Sequence, residues 1–203
     1  ALIDNKTLAD FRINSIVLKY KKEDCKFIKT LKYSDEVEWI VTNPRRTAII
    51  KDLTLSLKGN TLVLYNYVEK HGIPMFEMIR DAAEDGRKVF FVSGSVKADV
   101  REQIRHTTEL ESNAIIVASY GTFSTGINIR NLHNVVFTSP SKSRIRNLQS
   151  IGRGLRKGNG KTSAVLYDIA DDLRYKTYMN FAIRHFFERI NIYNEEKFEF
   201  KIN

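Results

Sequence analysis

The chain is predicted to be an α/β domain, a mostly parallel β-sheet with helices on both faces. Three observations predict this. Short apolar runs alternate with amphipathic stretches through the middle of the chain. The runs are β-branched or aromatic and apolar almost throughout, as strands covered on both faces must be. The stretches between them repeat apolar residues at helical spacing, so successive strands are joined by crossover helices.

In chain order, residues 11–20 read as a strand. Asn43-Pro44 is an N-cap followed by proline at the first helical position, so a helix starts there, runs to Leu57 and stops at Gly59. Residues 61–65 (TLVLY), 88–92 (KVFFV), 114–119 (AIIVAS), 134–138 (NVVFT) and 163–169 (SAVLYDI) are strands. The helix 74–84 aligns Met75, Met78, Ile79 and Ala82, and Gly86 ends it. The helix 98–110 carries Val100 and Ile104 on one side, and 143–151 carries Ile145, Leu148 and Ile151. Residues 175–192 form a helix whose stripe of Tyr178, Phe181, Ala182, Phe186 and Ile190 belongs to the core. Residues 197–202 (KFEFKI) alternate like a half-exposed strand.

The 203 residues, 42% hydrophobic and 11% aromatic, suffice for a packed core and exclude a disordered chain. No apolar run reaches the roughly 18 residues of a membrane span, and no signal peptide opens the chain. One cysteine, Cys25, excludes an internal disulfide and a four-cysteine zinc site. The four histidines, His71, His106, His133 and His185, lack metal-ligand spacing, so no metal site is expected within the chain. The start at Ala1, without methionine, fits a processed or excised piece.

Charge is unevenly distributed. Lys and Arg number 33 against 24 Asp and Glu, a net +9. The 56 residues 112–167 contain no acid and eight bases, so +8 of the excess sits in about a quarter of the chain. Two readings stand: covered strands exclude charge, or this segment forms a surface for polyanions.

Two phosphate-binding patterns must be separated. Gly158-Asn159-Gly160-Lys161-Thr162 resembles the end of a Walker A loop, but Leu155 stands where its first glycine belongs, and a strand follows instead of a helix. It reads as a turn. No acidic cluster following a strand is apparent. The second pattern is Gln149-Ser150-Ile151-Gly152-Arg153-Gly154-Leu155-Arg156. Arginines three apart share a helix face, and the glycines beside them allow close approach of a phosphate.

That string resembles motif VI of superfamily 2 helicases, Q/H-x-x-G-R-x-x-R, at Gln149, Gly152, Arg153 and Arg156. Residues 115–129, IIVASYGTFSTGINI, resemble motif V, with Ser119 where the family usually has Thr and Asn128 where many members have Asp. Residues 61–66, TLVLYN, resemble motif IV. Ser93-Gly94 with Arg101 seven residues on resembles the family's glycine loop and following helix. The match over 61–169 implies the second RecA-like domain. Within the family, GSVKADVREQI and ASYGTFSTGINI are similar to bacteriophage recombination helicases that act on branched DNA, which implies the host cytoplasm as location.

The resemblance implies one domain over 1–203: an entry strand and helices at 1–59, a motif-bearing core at 60–170, and a closing helix and strand at 171–203. It implies ATP and Mg²⁺ bound in a cleft shared with a first RecA-like domain, which brings Walker A and the metal carboxylates. Arg153 and Arg156 would be the catalytic arginine fingers. Gln149, Gly152, Gly126 and Asn128 would line the nucleotide. Asn66, Ser93, Gly94, Ser119 and Tyr120 would contact nucleic acid, extended by Lys97, Arg101, Lys142, Arg144 and Arg146. Tyr120 and Phe123 either stack on a base or pack beneath the motif V turn. The partner is branched or duplex DNA, with RNA–DNA hybrid as a further candidate. The fragment alone would be inactive. The rivals are a nucleic-acid-binding module without ATPase role, and the motor of a restriction or repair nuclease.

Overall fold

The computed structural model describes residues 10–124, 131–138 and 163–203. Seven strands form one sheet: β1 (Asp10–Lys19), β2 (Thr61–Tyr65), β3 (Val89–Val92), β4 (Ile115–Ser119), β5 (Asn134–Phe137), β6 (Ser163–Asp172) and β7 (Glu199–Ile202). Their order is β3-β4-β2-β5-β6-β1-β7, and every neighbouring pair is parallel. The helices are α1 (Lys22–Ile28), α2 (Tyr33–Thr42), α3 (Pro44–Ser56), α4 (Ile73–Ala82), α5 (Ala98–Leu110), α6 (Tyr120–Ser124) and α7 (Phe181–Glu195). A single π-helical turn, Val68–Gly72, precedes α4.

The alternation of side chains along each strand builds two cores. Leu62 and Leu64 of β2, with Ile116 and Ala118 of β4, face one side, where Ile104 of α5 and Tyr193 of α7 cover them. Val63, Tyr65, Ile115 and Val117 face the other, under Ile50 of α3 and Met75 and Ile79 of α4. Every residue of β2 is buried, and each large apolar side chain so covered stabilises the fold by roughly 1.5–3 kcal/mol.

Local chemistry sets the element ends. Asn43 caps α3 by accepting the backbone N–H of Arg46 at 3.1 Å, with Pro44 at the first helical position. Gly72 closes the π turn by donating to Tyr67 O at 2.8 Å. A Cβ there would lie 2.5 Å from the Tyr65 ring, so only glycine fits.

Several sequence expectations are corrected. The last helix starts at Phe181, not 175. Tyr175 and Tyr178 instead form an antiparallel bridge, and Asn180 turns its side chain to Leu173 N–H and Asp171 O. Strand β6 runs to Asp172, three residues past its apolar run, because Asp168 and Asp171 are paired with buried arginines. Those acids answer the expected absence of an acidic cluster on a strand: they are present but taken up. Helices α1 and α2 were not anticipated. The expected helix 143–151 lies outside the described residues.

Candidate functional site

In open parallel sheets, ligands gather beyond the carboxyl ends of the strands, where crossovers diverge to opposite sides. Here the chain passes from β2 to β3 on one flank, returns to β4 between them, then emerges at β5 on the other flank of β2. Asn66 and Ser93, matched to motif IV and the glycine loop, follow β2 and β3 directly, and Ser119, matched to motif V, is the last residue of β4. These three strands are neighbours in the order β3-β4-β2, so the three positions fall along about 10 Å of one edge at about 4.8 Å per strand.

Beyond β3, Ser93 is buried and its hydroxyl lies 2.8 Å from that of Ser95. Gly94 is exposed, and a Cβ there would meet nothing within 4 Å. Lys97 stands at the N-cap of α5 without a side-chain cap bond, leaving the first backbone N–H groups of that helix at the edge. Lys97 is exposed and Arg101 half-buried, while Asp99 in the first turn partly offsets their charge. Beyond β4, the Ser119 hydroxyl accepts Thr122 N–H at 3.2 Å and lies 2.6 Å from the Thr122 hydroxyl, which closes the turn into α6. Tyr120 is buried and its ring stacks on Phe137 at 5.2 Å, so it packs beneath the turn rather than presenting a free face.

Beyond β2 and β6 the edge is deeper. Arg46, only 1% exposed, donates Nε to Asp171 Oδ1 at 2.8 Å and Nη2 to Asp171 Oδ2 at 3.1 Å, and Nη2 also reaches the Thr138 carbonyl. The Tyr20 hydroxyl donates to Asp171 Oδ1 at 2.5 Å, and burial together with that carboxylate pushes the phenol pKa up. Glu36, fully buried on α2, accepts Phe181 N–H at 3.0 Å and Ala182 N–H at 2.8 Å, capping α7 from outside. Burial raises its pKa despite those donors. Asp172 takes Arg174 in two hydrogen bonds of 2.8 Å, together with Lys19, and these hold its carboxyl well below the usual range. Asn66 and Tyr67 line a cleft with Glu36, Arg46 and Asp171.

The structure thus brings Asn66, Ser93, Gly94, Lys97, Arg101, Ser119 and Tyr120 to one edge of the sheet. Gly126, Asn128, Phe123's side chain, Lys142, Arg144, Arg146, Gln149, Gly152, Arg153 and Arg156 lie outside the described residues. Sequence reading passed over Arg46, Glu36 and Tyr33. The available signal was Arg46, two residues past Pro44 in the first turn of the helix that the Asn43-Pro44 cap opens. Among the described residues, no group of three His, Cys, Asp or Glu side chains is placed to hold a metal, and no helix is long and apolar enough to cross a membrane.

Comparison with known proteins agrees with this fold. Residues 45–158 match the helicase conserved C-terminal domain. The chain is 34% identical to the ATP-dependent DNA helicase UvsW of enterobacteria phage T4, over 98% of its own length and 41% of that protein. The crystal structure of T4 UvsW superposes with a TM-score of 0.84 at 35% identity, covering 98% of this chain and 42% of that one. The C-terminal domain of the DEAD-box protein Dbp5 (TM-score 0.62, 12% identity, 96% of this chain and 90% of that one) shares the fold. So does the yeast DEAD-box splicing factor Prp28 (TM-score 0.59, 14% identity, 96% and 35%). The chain spans about two fifths of the length of UvsW.

Proposed function

The chain belongs to the helicase conserved C-terminal domain family, and from that premise we propose that it is the second RecA-like half of an ATP-dependent DNA helicase that unwinds or branch-migrates branched DNA in recombination and repair. The observation that carries this reading is the 34% identity to a DNA helicase along nearly the whole chain. The placing of three matched motifs on adjacent strand ends supports it. In this reading residues 1–203 act as one domain and work in the cytoplasm.

The division of labour in this reading rests on the helicase resemblance, and the donor set is consistent with it. Asp168, Asp171 and Asp172 are each committed to arginine, so these carboxylates of β6 are unsuited to Mg²⁺. The helicase resemblance assigns the metal ligands and the Walker A loop to the other RecA-like domain. Gln149, Gly152, Gly126 and Asn128 of this half would line ATP; when bound, the nucleotide with Mg²⁺ supplies the phosphoryl group that is transferred to water. Arg153 and Arg156 act across the closed cleft on the developing charge, a contribution of ~10³–10⁵ in rate. Asn66, Ser93, Gly94 and Ser119 offer neutral donors that grip phosphates without reading bases, with Lys97, Arg101, Lys142, Arg144 and Arg146 adding charge and Tyr120 supporting the turn from below.

Steady-state phosphate release by the complete helicase on branched DNA tests this. Arg153→Ala and Arg156→Ala each lower kcat with little change in DNA affinity, because a finger stabilises the transition state and not the ground state. Lysine restores little, since the planar fork is lost. The chain by itself releases no phosphate. Near-normal kcat in both alanine variants refutes the reading in favour of a nucleic-acid-binding module without ATPase role.

A further inference from the structure

Beyond the carboxyl ends of β2 and β6, a cleft of about 80 Å³ opens between α2, the start of α3 and the start of α7. Its features are unlike those of the phosphate-gripping positions on β3 and β4. Two of its lining residues are half-exposed tyrosines: Tyr33, 49% exposed, and Tyr67, 45% exposed. His185 lines it too, and the Tyr33 ring packs edge-on against His185 at 5.7 Å and against Phe181 at 5.5 Å, which fixes its orientation. A large aromatic left this exposed and yet held in place is a stacking surface.

The polar lining includes a hydrogen-bond donor to spare. Both carboxylates in it are occupied: Glu36 by the N–H groups that open α7, and Asp171 by Arg46 and Tyr20. Arg46 is engaged through Nε and Nη2, but its Nη1 is buried without a hydrogen-bond partner. The cleft therefore combines aromatic rings and an incompletely satisfied guanidinium in one lining. Such a site favours a flat, electron-rich group carrying acceptors and disfavours a cation.

We propose that this cleft takes a nucleobase from a single strand, stacked against Tyr33 and Tyr67 in the cleft that Arg46 also lines. The inference rests on the helicase reading, and it deepens it: Asn66, which lines the same cleft, holds the strand by its backbone, and the two tyrosines hold a base beside it. Stacking tolerates any base, so the site adds affinity for unpaired strand without sequence preference. At a DNA branch it favours the single-stranded side of the junction over duplex, whose bases are already stacked.

The test is fluorescence anisotropy of the full-length protein with a 15-mer of thymidylate and with a 15-mer of abasic units carrying the same phosphates. The protein binds the thymidylate strand more tightly. Tyr33→Ala combined with Tyr67→Ala weakens that binding by about tenfold or more, leaves the abasic strand within about twofold, and Tyr33→Phe with Tyr67→Phe restores it, since the ring and not the hydroxyl is used. Irradiation of a 5-iodouracil strand cross-links peptides carrying position 33 or 67. Equal affinity for both strands, an equal loss on both in the alanine variant, or cross-links only elsewhere overturns the cleft while leaving the helicase reading intact. Absence of binding to either strand and to duplex overturns both.

Discussion

Arg189 on α7 holds Asp168 on β6 through two parallel hydrogen bonds, Nη2 to Oδ1 at 2.8 Å and Nε to Oδ2 at 3.0 Å, with both side chains shut off from solvent. The Tyr193 hydroxyl adds a third donor at 2.6 Å, and burial beside that carboxylate keeps the phenol protonated. The pair fastens the last helix to the centre of the sheet, beside Phe137 at the end of β5. Taking both charges out of water is costly, and the fork geometry offsets that cost only while both partners are present.

Arg189→Met is therefore expected to destabilise the chain by about 3–5 kcal/mol, because Asp168 is left buried and charged. Arg189→Met with Asp168→Leu loses much less, since no charge remains to strand. Urea unfolding of the wild type, the single variant and the double variant measures both. A single-variant loss below about 1 kcal/mol contradicts the account.

His71 predicts an acid limit to stability. It is fully buried in the π turn, neither ring nitrogen has a hydrogen-bond partner, and burial, with Arg46 adding to it, lowers its pKa to about 3 from an ordinary 6.5. The folded protein keeps the ring neutral while the unfolded chain takes up a proton below pH 6.5. The stability linked to this ring is thus fully present above pH 6.5 and is lost as pH falls toward 3, with a slope approaching about 1.4 kcal/mol per pH unit. Unfolding free energies between pH 7 and 4 show this slope, and His71→Leu removes it from the profile. Asp172, whose carboxyl is held low chiefly by Arg174, adds its own loss only below the ordinary carboxylate range.

The strands of the sheet centre were legible because they are buried on both faces. TLVLY and IIVAS admit no other reading, and the structure ends β2 at Tyr65 and β4 at Ser119 as expected. Pro44 and Asn43 marked α3 by local chemistry alone. The first helices escaped notice because KEDCKFI and YSDEVEWIVT bury few residues each: Cys25 and Ile28 in one, Glu36, Ile40 and Val41 in the other. A buried glutamate inside an apolar stripe hides the helical period. The start of α7 was misplaced for a related reason. Tyr175 and Tyr178 extend the stripe in sequence, but Glu36, distant along the chain, caps the helix at Phe181. The strand-end positions were legible through local motifs. The cleft was not, because Tyr33, Arg46, Tyr67 and His185 meet only in the folded chain.

Asn60 is expected to be a stability anchor at the opposite end of the sheet. Its buried amide donates to Thr108 O at 3.1 Å, Glu111 O at 2.8 Å and Asn131 O at 3.1 Å, and accepts Ala114 N–H at 2.8 Å. One side chain thus joins the end of α5, the approach to β4 and the approach to β5. Asn60→Ala leaves buried backbone groups without partners and costs about 3 kcal/mol. Hydrogen exchange locates the damage: the Ala114 amide loses protection first, while amides of α3 keep theirs.

Salt dependence tests the polyanion reading of the acid-free segment. Outside residues 112–167 the charge is nearly balanced, 25 basic to 24 acidic, so on the polyanion reading only part of the surface would attract DNA. Phosphate binding supplies affinity through counterion release and carries no sequence information. Log K should therefore fall linearly with log salt, with a modest slope corresponding to roughly two to five phosphates, and equally for two unrelated duplexes. Exchanging Lys142, Arg144 and Arg146 together for alanine should flatten that slope if these residues follow the DNA backbone. Lys97→Ala at the N-terminus of α5 supplies the comparison, since its position on the strand-end edge is fixed by the fold, and if Lys97 contacts a phosphate its removal should lower the slope by about one. A steep slope for one duplex and not the other marks base readout, which neutral donors and backbone N–H groups cannot provide. An unchanged slope in the triple variant removes 142–146 from the DNA track, and the missing carboxylates of 112–167 are then explained by covered strands and by the ATP cleft alone.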